Sequence, residues 1–123
     1  MTTAAAVAAC LLLAGLVVFQ VLLVCGVPLG RFAWGGQQDV LPPRLRVGSA
    51  VASVVYVVVG WVLVARAAQG AGGILGVVTW VVAGFFLLGT AGNLVSRSLP
   101  ERLVMTPVAF ALCALTVVVA IQD

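Results

Sequence analysis

Few residues in this chain could carry out chemistry. Its acids are Asp39, Glu101 and Asp123, its cysteines are Cys10, Cys25 and Cys113, and histidine and lysine are absent. General acid–base catalysis needs a group whose pKa can be tuned close to neutrality. Asp39 and Glu101 instead fall where helix N-caps are expected, and Asp123 is the last residue. The cysteines form no C-x-x-C pair and have no histidine partner, so zinc and dithiol chemistry lack a signature. A buried free cysteine behaves as a small hydrophobe. The residues imply no enzyme, no cofactor and no metal site.

What they can do is hydrogen-bond inside lipid and attract anions. Gln20, Ser49, Ser53, Asn93 and Thr106 are polar residues in the same half of otherwise apolar runs, and Tyr56 shares a helical face with Ser49 and Ser53. Between the runs stand Arg31, Trp34, Arg44, Arg46, Arg97 and Arg102. Four of these arginines flank two expected helix N-termini, whose free N–H groups favour negative charge. A lipid phosphate, a small anion or an acidic patch on a partner protein fits there; ordinary contact with anionic headgroups fits equally.

The elements that must position these residues are the runs themselves, Ala4–Val27, Val47–Ala68, Ile74–Asn93 and Leu103–Ile121. Each is close to the ~20 apolar residues that cross a bilayer as a helix. With 64% hydrophobic and 7% charged residues over 123 positions, the chain cannot cover a water-soluble surface. The expected fold is therefore all-α: a four-helix transmembrane bundle of two antiparallel hairpins, a single domain over residues 1–123. The net charge of +3 comes wholly from arginine. Its placement beside the spans makes it a topology signal rather than a nucleic-acid footprint.

Five of the six arginines fall in the first and third connections. The positive-inside bias then makes those connections cytoplasmic, with both termini extracytoplasmic, in a plasma membrane. Arg66, near the end of the second span, is expected to snorkel to the outer interface. The first connection is long, and its Phe32 and Trp34 read as interfacial anchors. Gly35 and Gly36 would let it fold back, and whether it re-enters the membrane stays open. The second, from Gln69 to Gly73, is a tight turn that makes spans two and three antiparallel neighbours.

Spans two and four begin alike. Leu41-Pro42-Pro43-Arg44-Leu45 and Leu99-Pro100-Glu101-Arg102-Leu103 share an LP-x-RL element 58 residues apart. Either the chain is an internal duplication, or any helix entering lipid from this side favours proline, a cap and arginine. Asp39 is the expected cap of the first copy, and Ser98 with Glu101 reads as an S-x-x-E capping box for the second. Pro107 then lies inside the fourth helix and frees the Leu103 carbonyl, for which Asn93 or Ser49 is a donor.

The polar cluster has two readings. As packing glue, each interhelical hydrogen bond contributes about 0.6–2 kcal/mol, helped by Gly48-x-x-x-Ala52 and Ser49-x-x-x-Ser53. As a vestibule, Gln20, Ser53, Tyr56 and Asn93 line a path open to one side. The first makes the protein a non-enzymatic accessory or partner-binding component whose partner is another membrane protein or itself. The alternative is a small oligomeric transporter or channel for a neutral or anionic solute.

Gly26-Val-Pro-Leu-Gly-Arg31, Ala33-Trp34-Gly35-Gly36, the Leu41–Arg46 element and the segment Asn93–Pro107 together resemble a group of small uncharacterised four-helix membrane proteins of high-GC bacteria. The resemblance spans nearly the whole chain. It implies the fold and the membrane, and no activity, because none is established for that group.

Overall fold

The computed structural model describes residues 1–70 and 72–122. Ala71, within the turn expected between spans two and three, and Asp123 lie outside the described residues. The described residues form four α-helices: α1 (Thr2–Val24), α2 (Pro43–Gln69), α3 (Gly73–Leu94) and α4 (Leu99–Ile121). All four are long and apolar enough to cross a membrane. The protein is an all-α, multi-pass membrane protein, as its runs predict.

The helix ends differ from the ends of the apolar runs. α2 starts four residues before its apolar run, and α1 stops three residues before the end of its own, where Gly26 turns to a φ of 90°. α4 also starts four residues before its run, at Leu99, directly after the Ser98 cap that the S-x-x-E pattern predicts. Apolar counting stops at the first charge, but arginine and glutamate are good helix formers and stand comfortably in a first turn. Pro43 occupies the N1 position of α2 at no hydrogen-bond cost. Asp39 does not cap α2. Its N-cap is Pro42, with no side-chain bond, and Asp39 instead accepts the Gly30 N–H on its main-chain carbonyl at 2.8 Å.

The two LP-x-RL copies consequently do different jobs. Leu41 lies outside α2 and is buried with Leu23 and Ala33, whereas Leu99 is the first residue of α4 and is exposed. The same letters sit two residues out of step with respect to their helix starts.

α1 packs along α2 and α3 along α4, and the two hairpins join chiefly where α1 meets α4. α2 and α3, although joined by the shortest link, touch only slightly. Gly84 and Gly89 of α3 have open space where a side chain would start, so they draw no neighbour close. The buried stripe of α3 is Thr79, Val82, Ala83 and Phe86. Val82 and Phe86 of that stripe join Leu112 and Val119 of α4, Ala9 and Leu13 of α1, and Val59 and Leu63 of α2 in one core. Lipid offers no hydrophobic drive for helix association, so van der Waals packing of these side chains must hold the core together. At Gly60 a side chain would start 3.7 Å from Leu13, which marks where α1 and α2 come close. Val54, Trp61, Leu88 and Phe110 face outward, as lipid-exposed residues do.

Arg66 does not snorkel. It is 1% exposed, and its Nη2 donates to the carbonyls of Ala120, at 3.2 Å, and Gln122. The last carbonyls of α4 lack intrahelical donors, and the guanidinium supplies them. The apparent topology arginine of the termini end is a cap on a neighbouring helix.

Candidate functional site

The first connection closes the opposite, arginine-rich end of the bundle. Two single-turn 3₁₀ segments, Gly30–Phe32 and Trp34–Gly36, fold it over the helices. Leu23, Ala33 and Leu41 bury together and anchor it. Arg46 Nε donates to the Leu41 carbonyl at 2.8 Å, tying the loop to α2. Ser98 Oγ donates to the Arg31 carbonyl, and Gly36 passes so close to Ser98 that a side chain there would collide with it. The loop thus straps α2 to the start of α4.

Beneath it lies a partly open cavity of about 230 Å³, walled by all four helices and roofed by Phe32, Ala33 and Trp34. At ~30 Å³ per water, that is the room of roughly seven or eight water molecules. It falls below the ~300–1,000 Å³ of drug-sized sites, so its occupant is small. Tyr56 and Leu112 line the cavity 13 residues into α2 and α4, which puts the chamber floor ~20 Å below the starts of those helices.

Of the residues expected to form a polar cluster, the structure brings Gln20, Tyr56 and Asn93 to this chamber. Gln20 is buried, and its amide oxygen has no partner among the described residues. Asn93 Nδ2 donates at 3.4 Å to the carbonyl of Met105, in the turn before Pro107. Asn93 therefore does not take the Leu103 carbonyl that Pro107 frees, and neither does Ser49, whose hydroxyl is engaged by Trp34. Ser49 is fully buried and serves the roof, accepting from Trp34 Nε1 at 3.1 Å. Ser53 stays off the chamber and donates to the Ser49 carbonyl of its own helix at 3.0 Å. Thr106 also stays off it, with its hydroxyl buried and unpartnered among the described residues.

The glue reading changes accordingly. Ser53, Thr79 and Thr90 all bond the carbonyl four residues back on their own helix. That is the usual resource of a hydroxyl with no water available. Gly48 does not bring two helices together either. It makes room for the Trp34 ring, whose Cη2 would lie 2.8 Å from an added Cβ.

Glu101 and the aromatic rings are what sequence reasoning missed. Glu101 is 8% exposed at the chamber wall, and its carboxylate accepts the Ser96 hydroxyl. Only half of the capping box forms. Ser98 Oγ accepts from the Glu101 N–H at 3.4 Å, but the Ser98 N–H turns to Ser96 Oγ at 3.1 Å. Glu101 is thereby released to the chamber. Its signal was available: Glu101, Met105, Val108, Ala109 and Leu112 fall on one helical face, and all line the cavity. Six of the nine aromatic residues line it as well, namely Phe19, Phe32, Trp34, Tyr56, Phe85 and Phe86.

The basic residues divide. Arg31, Arg44, Arg97 and Arg102 are exposed, and the Arg31 guanidinium lies 5.1 Å over the Phe32 ring. Arg46 is half-buried and structural. Trp34, expected to anchor the loop at the interface, packs against Gly48 and bonds Ser49 in the roof. Comparison with family models, with curated proteins and with solved structures finds no match, so the chamber's chemistry alone must speak for its role.

Proposed function

We propose that this protein is a solute-binding component of the plasma membrane, a small transporter or channel that works as an oligomer. It holds a small solute in the chamber between its four helices. The observation that carries the reading is the chamber itself: a space in a protein of this size, lined by an acid, two amides, a phenol and five other aromatic rings. A bundle held only by packing glue has no use for such a space, because empty volume costs stability. The lining includes no histidine, lysine, serine or cysteine, so binding rather than covalent chemistry suits it. The arginine bias makes the roofed end cytoplasmic.

The accessory role has its own support in Arg31, Arg44, Arg97 and Arg102, exposed at one end and suited to anionic headgroups or an acidic partner. The mass of the complex extracted gently from its native membrane separates the two. A homo-oligomer that passes solute in liposomes supports the chamber. A stoichiometric complex with a different membrane protein, and no flux, overturns it in favour of the accessory role.

A further inference from the structure

We infer that the chamber takes a small organic cation of the alkylammonium type, with Glu101 as its counter-charge and the aromatic rings as its walls. The inference rests on the chamber being a binding site and adds the class of its occupant.

Charge balance comes first. Glu101 is 8% exposed, its one hydrogen-bond partner among the described residues is the neutral Ser96, and no ion pair joins it to an arginine there. Arg31, Arg97 and Arg102, the arginines nearest in sequence or across the loop, are all exposed. The first turn of α4, in which Glu101 stands, offsets part of the cost of withdrawing its carboxylate from water, and a bound cation removes the rest. An anion would add to it, and a neutral solute would leave it in place.

The walls agree with the charge. Aromatic faces attract cations through their quadrupoles, most strongly when water is excluded. Six rings of nine gather here, while only Trp61, Trp80 and Phe110 are left elsewhere. Phe32 already holds one cation, the Arg31 guanidinium, 5.1 Å from its centroid. A hard metal ion fits less well, since it needs about six oxygen ligands or more and the wall offers one carboxylate, two amides and a phenol among its rings. The unpartnered Gln20 oxygen would accept an N–H or hydroxyl of the guest.

The test uses the full chain in phosphatidylglycerol nanodiscs, which contain no ammonium headgroup. Trp34 is the reporter, read in a Trp61→Phe, Trp80→Phe background that removes the two lipid-facing indoles. The probes are choline, its neutral isostere 3,3-dimethylbutan-1-ol and the anion 3,3-dimethylbutanoate. Choline should shift Trp34 emission saturably and bind at least about tenfold more tightly than the neutral isostere. Glu101→Gln should abolish that preference while leaving the neutral isostere bound, which shows the variant is folded. Phe32→Leu, on the loop and away from the helix core, should weaken choline several-fold and spare the isostere.

Equal binding of cation and isostere, or best binding of the anion, overturns the cation assignment and leaves the chamber as a site. Absence of saturable binding by any probe overturns both. The source of the cation follows from one more arm. If discs of phosphatidylcholine abolish the response to free choline, the headgroup is the guest. If they leave it intact, the guest is a free solute.

Discussion

Trp34 Nε1 donates to Ser49 Oγ at 3.1 Å, across 15 residues of chain, and this bond joins the indole of the chamber roof to the helix that walls it. Trp34 has a φ of 52°, the one described non-glycine residue in the left-handed region, a conformation that costs of order 1–3 kcal/mol. The bond to Ser49 and the seat over Gly48 hold it there. Ser49→Ala should therefore destabilise the protein by about 1 kcal/mol, the indole N–H having lost its buried acceptor. Trp34 emission should move to longer wavelength as the roof loosens. Unchanged emission would show that the roof is held by other contacts.

Gly48→Ala sets two effects against each other. Alanine favours the helix by about 1 kcal/mol, but its Cβ would stand 2.8 Å from the indole ring. The ring is rigid and pinned at Nε1, so the collision should win. We expect a displaced roof and weaker solute binding, with helix content by circular dichroism unchanged.

Asn93→Leu removes the one side-chain amide that donates to the backbone of a neighbouring helix among the described residues, at Met105 beside Pro107. The expected loss is about 0.6–2 kcal/mol in thermal or denaturant unfolding in detergent. Asn93 also lines the chamber, so binding should weaken in protein that still folds. A change in stability alone would assign it to packing only.

Ala109→Leu reads the chamber by volume. In a filled core, added methylenes cost about 1–3 kcal/mol. Ala109 is buried against the chamber, so leucine should enter empty space at little cost, or with a gain, while displacing the guest. A large destabilisation would mean that the space is not there.

Cys25 tests orientation without any substitution. It is exposed just past the end of α1, whereas Cys10 and Cys113 are half-buried with their thiols donating to the Gly60 and Ala83 carbonyls. The proposed orientation, drawn from the positive-inside bias, puts the Cys25 end in the cytoplasm. A membrane-impermeant maleimide should leave intact cells unlabelled and label them after permeabilisation. Labelling of intact cells would reverse the topology.

Spans and faces were legible in the sequence, and their surroundings were not. The spacing of Thr79, Ala83 and Phe86 marks the buried side of α3 because periodicity reports which face is covered. It does not report what lies opposite, so Gly48 read as a helix contact when it seats a loop indole. Glu101 read as a cap because S-x-x-E is a local pattern, while Ser96, two residues outside the helix, takes the Ser98 N–H and frees the carboxylate. Arg66 read as snorkelling for want of any sign that the last turn of α4 stands beside it. The six aromatic rings converge from three helices and a loop, and no linear spacing encodes that convergence.

The two hairpins meet mainly along α1 and α4, yet each contributes two of the chamber's four helical walls. Neither hairpin alone encloses the space, which comes into being when they dock. A guest that binds only the docked form must strengthen the docking by mass action. If the hairpins were supplied as two separate chains, the solute would act as the glue between them, and its affinity could be read from how tightly the halves hold together.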